Sequence, residues 1–349
     1  MALSEFDLIR HYFSSPALNF KKGPVVLGPG DDAAILEIPS GSQLVMSMDT
    51  LNESVHFPEA ADPFLLGQRC LLVNLSDMAA MGAEPLAFTL AISLPQSNAS
   101  WLEAFSRGLA EVATTYQCPL IGGDTTRGPL SITVQIHGLV PQGQALLRSG
   151  ARAGDAVYVT GELGDGGAAL WWLMHDQRLL SSNLNSEDKD HLRSAFYTPQ
   201  AQIKAGIALR GLASAALDIS DGLIADLQHI LNASGGNTGL SAEIETQAVP
   251  MSETFKKCIP AHEQLRMALS AGDDYELCVC IPADNEAEAI ARMNAMNVRF
   301  TRIGQVVVHT QEQSDRSIVL RYPDGRKQRP QWSGYNHFVD DGALAEGSH

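Results

Sequence analysis

Apolar residues recur along the chain at two spacings, and these spacings predict alternating helices and strands. Residues 86–94 alternate and include β-branched types, as in a strand, whereas residues 98–116 carry apolar side chains every three or four positions, as in an amphipathic helix. Further helices are predicted at 5–13, 62–82, 168–174, 186–197, 201–213, 223–235 and 284–296. Further strands are predicted at 44–48, 131–140, 156–160, 298–308 and 317–322. This mixture indicates the α/β (α+β) class.

The helix predicted at 62–82 has clear boundaries and one residue that does not fit its surroundings. Asp62 is a typical N-cap, Pro63 suits the first turn, and Gly82 ends the pattern. Between them the helix is built largely from apolar and small residues, yet it contains Asp77. A carboxylate there destabilises the packing unless a charged group meets it. Asp77 is therefore the strongest single indication of a functional site in this half.

A short polar connection at residues 150–155 divides the chain. It contains Gly150 and Gly154 and precedes a new strand pattern, which is typical of a domain boundary. The 349 residues are long for one hydrophobic core, and a hydrophobic content of 45% suffices for two. We predict domains at 1–150 and 151–341. Residues 342–349, which end in Gly-Ser-His, are assigned to a flexible tail.

The charge balance limits the classes of molecule that the protein is expected to bind. With 24 basic and 40 acidic residues, the formal net charge of −16 argues against nucleic acid. An acidic protein can still bind phosphate esters when metal ions lie between the two sets of negative charge. The amino terminus lacks the basic and apolar regions of a signal peptide, and no apolar run approaches the ~20 residues of a membrane span. We therefore expect no membrane contact and a cytoplasmic location.

Five cysteines are scattered without a paired metal-ligand spacing: Cys70, Cys118, Cys258, Cys278 and Cys280. Free cysteine is among the most buried residue types. We predict reduced, mostly buried thiols, with Cys278 and Cys280 on opposite faces of one strand.

Aspartates beside glycine, serine or threonine form the most distinctive pattern in the chain. An isolated Gly-Asp-Asp is most simply a solvated turn, because turns favour Gly, Pro and Asp. Here, however, the acidic bends recur next to apolar segments, where a buried carboxylate needs cations or N–H donors. The recurrence predicts several carboxylates that converge on hard cations. The segments are 28–35, 47–50, 74–77, 122–126, 218–222 and 272–277.

Taken in order, these six segments closely resemble the thiamine-monophosphate kinase family. They read Gly30-Asp31-Asp32-Ala33-Ala34, Ser47-Met48-Asp49-Thr50, Asn74-Leu75-Ser76-Asp77-Met78-Ala79-Ala80-Met81-Gly82, Gly122-Gly123-Asp124-Thr125-Thr126, Asp218-Ile219-Ser220-Asp221-Gly222-Leu223 and Gly272-Asp273-Asp274-Tyr275-Glu276-Leu277. The resemblance covers about residues 5–338, and six ordered motifs are far more specific than any one of them.

The resemblance implies an activity, a fold and an assembly. The family uses ATP and several Mg²⁺ ions to convert thiamine monophosphate to thiamine diphosphate. Its fold is that of the aminoimidazole ribonucleotide synthetase group, with a mixed sheet in the amino-terminal domain and a separate carboxy-terminal α/β domain. It also implies a homodimer in which the amino-terminal sheets of two copies join.

The resemblance further implies roles for individual residues. Catalysis would involve Asp77, Asp124, Arg148 and Asp218. ATP would be bound by Gly123, Asp124, Arg148 and Ser220, and thiamine monophosphate by His56, Asp273 and Trp332. Metal ligands would be Asp32, Ser47, Asp49, Asp77, Asp124, Asp218 and Asp221, together with Met48 through its backbone.

Two residues depart from the family pattern. The family commonly has Thr where Met48 stands, so any side-chain hydroxyl ligand is lost there. It commonly has Glu where Asp273 stands, so the carboxylate has one methylene less reach.

These residues suit in-line phosphoryl transfer, in which the protein mainly positions groups and neutralises charge. The attacking phosphate oxygen is already ionised at pH 7, so no general base is required. Two alternatives remain. The chain could be another ATP-using member of the same group, such as aminoimidazole ribonucleotide synthetase or selenophosphate synthetase. The latter normally carries a reactive Cys or selenocysteine with a Lys near its amino terminus, whereas the first cysteine here is Cys70, within a predicted helix. From a different class, the acidic bends could form a divalent-cation-binding module without catalysis.

Overall fold

The computed structural model describes residues 8–174, 184–235, 239–308 and 318–335. The start of the helix predicted at 5–13, residue 317 of a predicted strand and the proposed tail at 342–349 lie outside this range. The described residues form two main sheets, with four and seven strands, and a two-stranded hairpin. The predicted two-sheet α/β (α+β) organisation is confirmed.

The first sheet is mixed, as predicted. The elements of this half are β1 Val25–Leu27, β2 Ile35–Leu36, β3 Ser42–Asn52, α1 Pro63–Ala80, β4 Glu84–Leu94, α2 Ala99–Thr115, β5 Leu120–Arg127 and β6 Ser131–Pro141; a π-helical turn spans Ile9–Phe13. The order of the sheet is β3-β6-β4-β5, with β4 and β5 parallel and the other neighbours antiparallel. The hairpin of β1 and β2 precedes it, and helices α1 and α2 follow β3 and β4.

The strands of the second sheet are β7 Ala156–Thr160, β8 Ala215–Asp218, β9 Leu240–Glu245, β10 Leu277–Ile281, β11 Phe300–Val308, β12 Ile318–Arg321 and β13 Lys327–Gln328. Their order in the sheet is β13-β12-β9-β11-β7-β10-β8, and β9 and β12 are the parallel pair. The accompanying helices are α3 Asp165–Met174, α4 Ser186–Tyr197, α5 Ile203–Ala208, α6 Leu223–Gly235, α7 Glu253–Cys258, α8 Ala261–Ser270 and α9 Glu286–Ala295.

Helix α1 has the predicted boundaries. The Asp62 side chain accepts hydrogen bonds from the backbone N–H groups of Phe64 and Leu65, and Pro63 occupies the first turn. The helix ends before Gly82, whose φ of 61° lies in the left-handed region that glycine favours. α1 is buried between the first sheet, α2 and the second domain. In particular, Gly206 of α5 approaches so closely that a Cβ there would lie 2.0 Å from the Ala79 carbonyl oxygen.

Three predictions of secondary structure are wrong. Asp49 lies inside β3 rather than at its end, because β3 pairs with β6 as far as Asn52. Residues 122–126 form part of β5 rather than a bend, because they pair with β4. The helix predicted at 201–213 is only α5, and Gly211, with a φ of 73°, follows its end.

The described cysteines are all free and buried, which confirms that prediction. The prediction that Cys278 and Cys280 lie on opposite faces is wrong: they are two positions apart in β10, so both point to the same face, and both are buried because both faces of this strand are covered. Among the residues that the structure describes, no helix combines the length and apolar character that a membrane crossing needs. The predicted domain limits and the cytoplasmic location stay predictions.

Candidate active site

Helix α1 holds acidic residues from both parts of the chain together. Asp77 accepts a hydrogen bond at Oδ2 from the Ser47 hydroxyl of β3 at 2.6 Å. The neighbouring Ser76 hydroxyl donates to Asp218 Oδ2, at the end of β8, at 2.7 Å. Because consecutive helix residues point about 100° apart, Ser76 and Asp77 reach different elements. One turn of α1 thus connects β3 with β8.

Asp49 completes this acidic cluster, which we define as Asp49, Asp77 and Asp218. Its backbone N–H donates to Asn74 Oδ1 at 3.2 Å, which ties β3 to α1 a second time. Burial and, next, the charge of Asp49 raise the pKa of Asp77 to about 7. Burial and then Asp77 raise the pKa of Asp218 to about 7, and burial followed by Asp218 raises that of Asp49. Neighbouring negative charges therefore oppose ionisation throughout the cluster.

The donor atoms of the acidic cluster fit a hard cation. Carboxylate and hydroxyl oxygens are the ligands that Mg²⁺ prefers, usually one or two carboxylates with waters and substrate phosphates. Within the described ranges, no group of three His, Cys, Asp or Glu side chains is close enough to hold a metal ion alone. A metal here therefore requires oxygens from a bound phosphate or from water.

The turn after β8 brings Ser220 and Asp221 beside the acidic cluster. The carboxylate of Asp226, from the first turns of α6, accepts the backbone N–H groups of both residues at 3.1 Å. Burial and then the charges of Asp221 and Asp218 raise the pKa of Asp226 to about 8. Asp226 thus fixes the backbone of the turn, while the side chain of Ser220 is exposed and that of Asp221 is half-buried.

Two further predicted residues lie near this turn. Arg148 is exposed in the loop after β6, and its positive charge lowers the pKa values of Asp77 and Asp218, against the larger effect of burial. The segment that contains Trp332 passes beside Asp221, because the Tyr335 N–H donates to the Asp221 carbonyl oxygen at 2.9 Å. Gly334 is required there, since a Cβ would lie 2.3 Å from the same oxygen.

Gly123 and Asp124 lie away from the acidic cluster. They belong to β5, one edge of the first sheet, whereas Asp49 belongs to β3, the other edge. Asp49 pairs with Val134, Val134 with Leu90 and Leu90 with Gly123. Three strand spacings of about 4.8 Å separate the two edges by roughly 14 Å. Asp124 is also one residue beyond Gly123, so its exposed side chain points to the opposite face of the sheet.

Three more predicted residues also lie outside the cluster. Asp32 is exposed in the turn between β1 and β2, and no hydrogen bond or ion pair joins it to the cluster within the described residues. Met48 alternates with Ser47 and Asp49, and its side chain is 61% exposed on the outer face. His56 is half-buried in the loop after β3, where Nδ1 accepts the Asn52 N–H at 3.1 Å.

Asp273 has a partner that the sequence analysis missed. Its carboxylate Oδ1 lies 2.6 Å from Nη2 of Arg69, a residue of α1 that is only 1% exposed. Burial raises the pKa of Asp273, and the charge of Arg69 opposes that increase. One signal in the sequence pointed to Arg69: a single arginine in an apolar helix needs a buried partner. The same reasoning would have selected Asp226, an acid in the apolar helix α6.

The roles predicted for these residues, as ligands or substrate contacts, stay predictions. What the geometry provides is an oxygen-rich, negatively charged cluster between two α/β units. The reactive thiol expected of one alternative enzyme does not fit, because Cys70 is buried in α1 and burial raises its pKa strongly.

Comparison with known proteins covers nearly the whole chain. Residues 30–140 match the family model described as AIR synthase related protein, N-terminal domain, and residues 152–315 match the corresponding C-terminal domain. Thiamine-monophosphate kinase of Escherichia coli (strain K12) is 42% identical over 339 residues, which cover 97% of this chain and 99% of that protein.

Two solved structures are similar throughout. A crystal structure of thiamine-monophosphate kinase from Stenotrophomonas maltophilia K279a has a TM-score of 0.79 and 38% identity, and the match covers 93% of this chain and 98% of the other. AaThiL complexed with AMPPCP and TMP has a TM-score of 0.70 and 28% identity, with 95% and 96% covered.

Proposed function

This chain belongs to the AIR synthase related family and, within it, to the thiamine-monophosphate kinases, and from that premise we propose how its site works. The activity is the ATP-dependent phosphorylation of thiamine monophosphate to thiamine diphosphate. The observation that carries the proposal is the acidic cluster. In it, helix α1 brings together carboxylates of two domains, although these carboxylates repel each other.

We assign Mg²⁺ to this cluster. Asp49, Asp77 and Asp218 would hold the ions, aided by Ser47 and Asp221. Asp32, Asp124 and the backbone of Met48 would complete the ligand set. Mg²⁺ held by these residues would supply positive charge that offsets the repulsion between the two phosphates.

The chain's own groups then orient a direct transfer. A phosphate oxygen of thiamine monophosphate forms a bond to the γ-phosphorus of ATP while the bond from that phosphorus to the β–γ bridging oxygen breaks, and ADP leaves with the electron pair. No covalent enzyme intermediate forms. Arg148 and Ser220 bind ATP phosphates, and Gly123 permits close backbone approach beside Asp124. His56 and Trp332 bind thiamine monophosphate, whereas Asp273, whose carboxylate is buried against Arg69, acts on the substrate site through the neighbouring turn at 218–221.

A homodimer would bring the distant Asp124 into the site. Asp49 and Asp124 occupy opposite edges of the first sheet, so one chain cannot place both on one ion. Edge strand β3 exposes Leu44, Met46 and Met48 on the outer face. A second copy whose β5 edge lies alongside the β3 edge would bring its own Asp124 to that edge, and its sheet would cover those exposed side chains.

The test of the activity compares acceptors. Purified protein is incubated with ATP, Mg²⁺ and either thiamine monophosphate or thiamine, and the products are separated by chromatography. We expect thiamine diphosphate from the monophosphate alone, and none from the Asp77→Asn variant. Asp190→Asn, which removes an exposed carboxylate on α4, is the matched control and should retain activity. Turnover by Asp77→Asn at the control's rate would remove the acidic cluster from the mechanism.

The shared site has its own test. Asp77→Asn and Asp124→Asn homodimers should each be inactive. After mixing and subunit exchange, we expect roughly a quarter of wild-type activity, because half of the dimers are mixed and each has one unsubstituted site. Failure of the exchanged mixture to regain activity would place both aspartates in the site of one chain.

A further inference from the structure

Arg69 is a cation of the first domain that is buried in the second. Its Nη2 lies 2.6 Å from Asp273 Oδ1, and its Nη1 donates to the Phe196 carbonyl oxygen. The guanidinium lies 3.9 Å above the centre of the Phe196 ring and 5.6 Å from that of Tyr275. A buried ion pair with these contacts has one well-defined geometry, because any displacement leaves a charge without a partner.

The segment that receives Arg69 has an unusual backbone. Gly272, Asp273 and Tyr275 have φ values of 72°, 64° and 53°, in the left-handed region. Asp273 and Tyr275 are not glycines, so this conformation costs energy and persists only where surrounding contacts fix it. Arg69 supplies such a contact from α1.

The same segment supports the turn after β8. The Asp273 N–H donates to the Ser220 carbonyl oxygen at 2.8 Å, and the Tyr275 N–H donates to that of Ile219 at 2.8 Å. A Cβ on Gly272 would lie 2.3 Å from the Ser220 carbonyl oxygen, so the two segments are in close contact. A displacement of Asp273 is therefore transmitted directly to Ser220 and Asp221.

We propose that Arg69 is a positioning residue for phosphoryl transfer: through Asp273 it sets the 218–221 turn of the second domain against Asp77 of the first. Arg69 and Asp77 belong to the same helix, so the position of the ion pair relative to the acidic cluster is fixed. The inference rests on the proposed function, because it concerns the geometry of that reaction. A misplacement of about 1 Å can reduce a rate 10²-fold.

The test uses Arg69→Met, with Arg210→Met as a matched control. Arg210 also crosses between the domains, donating to the Gly82 carbonyl oxygen at 2.6 Å, but it does not contact the 272–275 segment. We expect Arg69→Met to lower kcat about tenfold or more, with faster amide hydrogen exchange at 218–222 and 271–276. Arg210→Met should lower thermal stability without either change.

A length-compensating pair separates positioning from general stability. Arg69→Lys and Asp273→Glu should each lower kcat, and the double variant should recover it, because a shorter cation meets a longer carboxylate. These milder variants also serve if Arg69→Met does not fold. Unchanged kcat in the single variants, or no recovery in the double variant, would overturn the proposal. If the wild-type protein forms no thiamine diphosphate, the proposed function fails, whereas hydrogen exchange still decides whether Arg69 holds the turn.

Discussion

Two groups of buried charge join α1 to the second domain, and they are built in opposite ways. Arg69 and Asp273 form a cation–carboxylate pair at 2.6 Å. About two turns further along the same helix, Ser76 and Asp77 join a cluster in which each acid raises the pKa of another. Among the described residues, the cation that acts on Asp77 and Asp218 is the exposed Arg148.

The difference separates fixed geometry from a ligand site. The opposite charges of Arg69 and Asp273 compensate each other without a bound ion, so this pair can define how the domains meet. Buried carboxylates without a close cation are costly, and this cost is the reason that we propose a cation site at the acidic cluster. The comparison predicts that neutralising an acid has opposite effects on stability in the two groups.

The largest effect is expected at the ion pair. Asp273→Asn leaves the Arg69 guanidinium buried without an anion, which should reduce the free energy of unfolding by about 3–5 kcal/mol. Adding Arg69→Met in the same chain should restore part of the loss. Urea unfolding of the two variants measures both values. Equal stability of wild type and Asp273→Asn would mean that the pair contributes nothing.

In the acidic cluster the same chemical change should have the reverse sign for stability. Asp218→Asn removes a buried charge and retains an oxygen that can accept from Ser76, so the metal-free protein should unfold at a higher temperature. Its turnover should fall roughly 10²- to 10³-fold, as when other transition-state charge contacts are removed. Thermal scans without Mg²⁺ and the chromatographic assay check the two signs. A less stable variant with normal turnover would contradict both.

A smaller effect on stability is expected at Asp226, which holds the backbone of the 218–221 turn. Asp226→Ala leaves the N–H groups of Ser220 and Asp221 without an acceptor, at a cost of about 1–3 kcal/mol. Asp226→Asn keeps a carbonyl oxygen there and should lose less. The KM for ATP, measured in both variants beside their unfolding free energies, should rise more for Ala. The opposite ranking would show that the charge of Asp226 matters rather than its acceptor.

The smallest expected effect, per unit of pH, is the change in stability of the metal-free protein with pH. The pKa values of Asp77 and Asp218 are raised to about 7, above the usual 3.8, so the folded state keeps protons that the unfolded chain has released. Stability from these groups is fully present below pH 3.8 and is lost as pH rises to about 7, by up to about 1.4 kcal/mol per pH unit for each proton. Unfolding temperatures from pH 5 to 8 should therefore fall less steeply in Asp77→Asn than in wild type. An equal slope in the two proteins would remove Asp77 from the linkage.

The boundaries of helix α1 could be predicted from the sequence, because they depend on local chemistry. The cap at Asp62, the stop at Gly82 and the misfit of Asp77 are visible within one helix. The contact of Ser76 with Asp218 joins residues 142 positions apart, and no local pattern records it. The separation of Asp49 from Asp124 depends on strand order in the sheet, and the acidic segments predicted as bends became strands because neighbouring strands pair with them.

The central claim is that carboxylates from both domains, held by α1, bind Mg²⁺ beside the two phosphates. The most direct measurement is calorimetric titration of Mg²⁺ into protein saturated with AMPPCP and thiamine monophosphate. We expect tight binding in wild type and Asp190→Asn, and its loss in both Asp77→Asn and Asp218→Asn. Wild-type Mg²⁺ affinity in those two variants would contradict the account.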